Sequence, residues 1–170
     1  MIKKVVSRGK KRQKRKLSPE EKLKRKEQRE HIKPIRYALG AMGFSRIGYL
    51  SDKEFVYKGS KCDFDDIFIH ENIVVMCEYT TIKENDVSQH LRNKKVVFDK
   101  IKNSDEEFVE FLKQQYESFS EKCSDKYQND QYVVRIMYCS LNGVKSSVKA
   151  DFENIVFYDL SVSKYFFVLA

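Results

Sequence analysis

Residues 61–80 read Lys61-Cys62-Asp63-Phe64-Asp65-Asp66-Ile67-Phe68-Ile69-His70-Glu71-Asn72-Ile73-Val74-Val75-Met76-Cys77-Glu78-Tyr79-Thr80. Two extended segments, Cys62 to Ile69 and Ile73 to Thr80, flank a turn at His70-Glu71-Asn72. The second segment is almost continuously apolar, which implies burial on both faces, as at the centre of a mixed sheet. Carboxylates punctuate the first segment, and Glu78 stands near the end of the second. Acidic side chains inside apolar strands are costly unless a cation or hydrogen bonds compensate them. Mg²⁺ suits that role, because it takes oxygen ligands from one or two carboxylates.

Strand side chains alternate faces. On that rule Asp63 and Asp65 point one way, and Phe64, Asp66 and Phe68 the other. Glu78 shares a face with Met76 and Thr80. Alternation alone leaves the first acid of a paired site open between Asp65 and Asp66, since the strand is able to bulge after Gly59; the second is Glu78.

Outward from this hairpin, the chain reads as alternating elements. Ser18-Pro19-Glu20-Glu21 is a helix start, with Ser18 as cap, Pro19 at the first helical position and Glu21 completing a capping box. Pro34 interrupts or kinks that helix, and Ile35, Leu39 and Met42 supply its apolar face. Gly43-Phe44 leads into a strand around Ser45 to Leu50, and Phe55 begins a second extended segment that bends at Gly59-Ser60. Asp86 caps a helix running to about Ile101, with Val87, Leu91, Val97, Phe98 and Ile101 on its apolar side. Ser104-Asp105-Glu106-Glu107 opens another helix, with Phe108, Phe111, Leu112, Tyr116 and Phe119 at helical spacing. Tyr132 to Leu141 and Ile155 to Leu160 read as strands. The order α-β-β-β-α-α-β-β predicts an α/β fold, a mixed central sheet flanked by helices.

That order and these acids resemble the PD-(D/E)xK, or restriction-endonuclease-like, nucleases. Their core runs helix, three strands, helix, strand, and the resemblance covers roughly residues 20–140. The family places an Asp on the second core strand, often as acid, apolar, Asp, and Glu-x-Lys or Asp-x-Lys on the third. Asp63-Phe64-Asp65 resembles the first element and Glu78-Tyr79-Thr80 the second. The apolar residue before the Asp favours Asp65. Gln89 lies early in the next helix, where many members turn a polar residue to the site. Thr80 departs from the pattern, since the family has its lysine there. Lys83, Lys94 and Lys95 are the candidates to supply the basic group.

The resemblance implies a metal-dependent endonuclease cutting phosphodiester bonds of nucleic acid, DNA first. Asp65, Glu78, Lys94 and Gln89 form its expected catalytic set, and Asp65, Asp66 and Glu78 its ligands for Mg²⁺ or Mn²⁺. The alternative is an inactive nuclease-fold module that binds nucleic acid through its N-terminal arm.

Charge supports a polyanionic partner. Residues 1–36 hold 16 Lys and Arg against 4 Glu, whereas the remainder holds 17 basic and 21 acidic residues. The chain is thus a slightly acidic domain, 18–170, carrying a basic arm, 1–17, expected to be disordered when free. Lys10, Lys11, Arg12, Lys14, Arg15 and Lys16 are its expected nucleic-acid contacts, and Lys22 to Arg29 continue the charge onto the first helix. Binding through such residues is non-specific and steeply salt-dependent.

Apolar runs are too short for a membrane span, and the N-terminus lacks the apolar core of a secretory signal. The expected location is the cytoplasm or nucleoid, or the nucleus in a eukaryote. Cys62, Cys77, Cys123 and Cys139 lack C-x-x-C spacing and read as reduced thiols. The terminal run Tyr165-Phe166-Phe167-Val168-Leu169-Ala170 either packs back on the core or marks a module of a longer protein. A homodimer is left open.

Overall fold

The computed structural model describes residues 18–48, 50 and 53–159. The first helix, α1 (Pro19–Ala41), starts as its sequence predicts. Ser18 Oγ accepts the Glu21 N–H at 3.1 Å, and Glu21 accepts the Ser18 N–H at 2.7 Å. The helix runs on through Pro34, because Ile35 and Leu39 anchor its second half to the sheet and tertiary packing outweighs the one lost backbone bond. Just past its end stands Gly43, where a φ of +91° strains any side chain and an added Cβ would lie 3.0 Å from the His70 ring.

Among the described residues seven strands follow: β1 (Ser45–Arg46), β2 (Phe55–Tyr57), β3 (Ser60–Cys62), β4 (Asp66–His70), β5 (Ile73–Thr80), β6 (Val133–Ser140) and β7 (Ile155–Asp159). Five form one sheet in the order β1-β4-β5-β6-β7. β4 is antiparallel to β1 and β5, and β6 and β7 run parallel to β5. The domain is therefore α/β with a mixed five-stranded sheet, as the element order predicts. β5 lies at its centre, which explains its unbroken apolar run.

The stretch from Phe55 to Ile69 is not one bent strand. β2 and β3 make a separate hairpin, closed by Lys58 and Gly59, both with positive φ, the geometry of a type I′ turn. Phe55 and Tyr57 pack from it onto Phe108 and Phe111. The chain then bends at Asp65 before entering the main sheet.

The remaining helices are α2 (Val87–Lys102), α3 (Asp105–Gln115), α4 (Glu117–Ser120) and α5 (Ser146–Ala150). The single aromatic-rich helix expected over 104–119 breaks at Tyr116, where the backbone turns extended. α1 covers one face of the sheet, packing Ile35 and Leu39 on Phe68, Val75, Cys77 and Tyr79. Side chains of α2 to α5 cover the other, over Ile67, Ile69, Val74, Met76 and Ile136. Cys62, Cys77 and Cys139 are buried and Cys123 is half-buried; all four are free thiols. Among the described residues, no helix is long and apolar enough to cross a membrane.

Candidate active site

The β4–β5 register puts Asp66 opposite Cys77. Directly opposed residues share a face, and Cys77 lies against α1. Asp66 therefore faces α1, while Glu78, the next residue on β5, faces α2. Asp65, one residue before β4, comes opposite Glu78 when the register is carried one step. Its Oδ2 accepts the Tyr79 N–H at 2.6 Å.

Glu78 is only 6% exposed. What meets it is Lys94. The apolar stripe of α2 runs Val87, Leu91, Phe98, Ile101, and Lys94 fills the gap in that stripe at the spacing of one helix face. Its Nζ lies 2.5 Å from Glu78 Oε1 and 3.4 Å from both the Asp63 carbonyl and Asp63 Oδ1. His90, one turn earlier, places Nε2 3.7 Å from Glu78 Oε1. Its Nδ1 and the Tyr138 hydroxyl are hydrogen-bonded at 2.8 Å. Glu78 Oε2 is buried and has no hydrogen-bond partner.

Burial pushes the Glu78 carboxyl up to about 7; Lys94 pulls against this and Asp65 adds to it. Burial also acts to lower Lys94, but Glu78 and Asp63 outweigh it and hold the ammonium above the ordinary lysine value. Burial, with Lys94 second, lowers His90 below the usual imidazole value, so at pH 7 it is largely neutral. The cluster thus holds a firm cation beside a carboxylate that titrates near neutrality. Perturbation of this kind, by desolvation plus a specific charge partner, is typical of working sites.

Asp66 does not join this group. It is fully buried under α1, where Arg36 Nε donates to Oδ2 at 2.6 Å and Arg36 Nη2 to Oδ1 at 3.0 Å. Arg46 Nε donates to Oδ1, and the Tyr79 hydroxyl to Oδ2 at 2.9 Å. Strict alternation also fails at Phe64, which packs on the α2 side while Asp66 and Phe68 face α1. The bend at Asp65 resets the faces.

Gln89 is exposed, and its Nε2 donates to Asn93 at 3.0 Å; α2 turns His90 and Lys94 toward Glu78 instead. Lys95 pairs with Asp99 on the helix surface, and Lys83 is exposed. Thr80 is buried and accepts the Ile82 N–H at 3.1 Å. Lys10, Lys11, Arg12, Lys14, Arg15 and Lys16 lie outside the described residues. Sequence reading missed His90, Asp63 as a partner of Lys94, and both arginines on Asp66. A usable signal existed for Lys94 itself, as a charge set into an apolar stripe.

Among the described residues, no three His, Cys, Asp or Glu side chains gather closely enough to hold a metal by themselves. The carboxylates that the register brings opposite each other are Asp65 and Glu78, and Glu78 Oε2 is the buried oxygen that has no hydrogen-bond partner. Such a set suits Mg²⁺, which keeps several waters and takes substrate phosphate oxygens as further ligands. A cavity of about 210 Å³ between α2 and the α5–β7 turn shares no lining residue with this cluster. No protein-family model matches the chain, and neither a curated protein nor a solved structure matches it.

Proposed function

We propose that the protein is a metal-dependent endonuclease with a restriction-endonuclease-like core, acting on nucleic-acid phosphodiester bonds, DNA first. The observation that carries this reading is the buried contact between Lys94 and Glu78, with Asp65 opposite Glu78 in the register, in which a helix lysine meets the β5 glutamate that Thr80 leaves without its motif partner. The order α1, then β1, β4 and β5 of one sheet, then helices and β6, supports the same core.

Asp65 and Glu78 would hold Mg²⁺ or Mn²⁺. A bound ion supplies Lewis acidity, lowering the pKa of water and stabilising charge on the scissile phosphate. Lys94 holds a positive charge beside the site in a largely water-excluded setting, where it orients a water and stabilises developing negative charge. The hydrogen bond to Tyr138 fixes the His90 ring against Glu78. The buried carboxyl needs a proton or a cation near pH 7, so metal occupancy and proton loss at Glu78 are linked.

The test is plasmid nicking in Mg²⁺ or Mn²⁺. Wild type should nick, and Glu78→Ala should not; equal cleavage by the variant refutes the assigned site. The second reading, an inactive nucleic-acid-binding module, draws on the Lys94 contact itself, since the ammonium occupies Oε1 of the glutamate. It predicts binding without nicking in either metal.

A further inference from the structure

The first half of α1 adds nothing to the hydrophobic core, which this helix enters only through Ile32, Ile35 and Leu39. Among the described side chains of residues 18–30, every one is exposed except Glu21, which is half-buried, and burial begins at His31. The helical form of this half rests on local terms: the Ser18–Glu21 capping box, Pro19 in the first turn, and residues such as Leu23, Arg25 and Lys26 that favour helix. Such a short helix, with no face packed on the domain, is marginal in water by itself.

Its charges are sorted by sign. With 3.6 residues per turn, Lys22, Arg25, Lys26, Arg29 and Lys33 fall within an arc of about 100°, and among the described residues they line one shallow groove together with Glu30. Glu30 pairs with Lys33 at 2.7 Å and interacts with Lys26; Glu20 and Glu21 lie outside the arc. A helix face that serves solubility alone mixes the signs, so that residues three and four apart attract. Here Lys22–Arg25, Lys22–Lys26, Arg25–Arg29, Lys26–Arg29 and Arg29–Lys33 have that spacing and carry like charges, which destabilise the helix. A polyanion laid along the arc relieves this repulsion. From Lys22 to Lys33 the line extends about 16 Å, the length of about five phosphate steps of one DNA strand. A mononucleotide meets one or two of these cations, whereas a line this long suits a polymer of phosphates. An anionic membrane surface needs apolar side chains to insert beside the cations, and exposed Leu23 lies off the arc.

We propose that the first half of α1 is a rail for duplex nucleic acid: Lys22, Arg25, Lys26, Arg29 and Lys33 lie along the phosphate backbone, and that contact firms the helix that presents them. This rests on the nucleic-acid reading above and extends it, placing a grip on the substrate outside the Asp65–Glu78 site. The grip reads charge and not sequence, because its partners are phosphates. Ordering and binding are coupled, since the ligand removes the repulsion that weakens the free helix.

Two measurements on the full chain in EDTA test this. The first is fluorescence anisotropy of a labelled DNA duplex across a salt series. The double variant Arg25→Gln, Arg29→Gln loses two phosphate contacts, which should weaken binding about 30-fold near ~0.15 M salt and flatten the log–log salt slope by about 1.8. Arg25→Lys, Arg29→Lys keeps the charge and should keep the slope. Lys126→Gln, an exposed lysine in the loop beside Glu71, should match wild type. Thermal unfolding of each variant checks the fold. The second is amide hydrogen exchange of wild type, which the duplex should slow across residues 19–33. A salt slope of the Gln variant equal to wild type overturns the proposal. So does duplex binding with unchanged exchange over 19–33, absence of duplex binding by wild type, or a loss seen on phosphatidylserine vesicles and not on DNA. Without metal no cleavage is required, so failure to nick overturns the nuclease reading while leaving the rail standing. Nicking by wild type with an unchanged slope in the Gln variant does the reverse.

Discussion

Replacing Glu78 by Gln should make the protein more stable above neutral pH and leave it unchanged in acid. A carboxyl whose folded pKa lies above its unfolded value binds its proton more tightly when folded. Its stabilisation is complete below about 4.5 and is lost as the pH rises through about 7. That gap, at about 1.4 kcal/mol per unit, amounts to about 3 kcal/mol. Gln has nearly the shape of the neutral acid and cannot ionise, so it escapes the loss, and in the wild type Lys94 is held above the ordinary lysine value across this range. The assay is urea unfolding in EDTA at pH 4.5, 6, 7 and 8. Glu78→Gln and wild type should coincide at pH 4.5 and separate by about 3 kcal/mol at pH 8, the variant higher. A difference that does not change with pH means Glu78 ionises in the ordinary carboxylate range, and the desolvated site described above is wrong.

Other outcomes follow from the same contacts. Lys94→Ala should abolish nicking and, because Lys94 lowers the Glu78 pKa, raise the pH at which the stability of that protein falls. Unfolding titrations against pH read this directly. Asp66→Asn removes the charge that two arginines share and should cost about 2–4 kcal/mol in urea unfolding, somewhat under the full buried-pair range because the arginines are part-exposed; a loss under about 0.5 kcal/mol would show that the cluster does not hold α1 to the sheet. Deleting residues 1–17 should weaken duplex binding and flatten its salt slope, and an unchanged slope would mean the arm is not a contact.

Much of the scaffold was legible because its signals are local. Ser18 and Glu21 cap α1 as written, and the apolar run of β5 correctly announced a strand covered on both sides. What failed depends on distant partners or weak local chemistry. The Lys58-Gly59 turn lacks the Asn-Gly or Asp-Gly signature of its type, so the β2–β3 hairpin read as one bent strand. The break at Tyr116 carries no Gly or Pro, and the aromatic spacing continues across it. Asp65 and Asp66 stood undecided because β4 begins between them, and strand alternation does not hold through a bend. The burial of Glu78 was readable from its place near the end of an apolar strand, whereas Lys83, Lys94 and Lys95 stood alike as candidates for the basic group. The selection of Lys94 over Lys95 becomes visible once the 87-91-94-98-101 stripe is drawn. Arg36 and Arg46 meet Asp66 from 30 and 20 residues away, and no short-range pattern carries such a pairing.

The central claim is that Asp65 and Glu78 together hold one divalent cation. Calorimetric titration of Mn²⁺ at pH 8 tests it most directly. Wild type should bind an ion that both Asp65→Asn and Glu78→Gln lose, while a folded Arg46→Gln control keeps it. Equal Mn²⁺ binding by wild type and the two carboxylate variants, or no binding by any of them, would contradict the account.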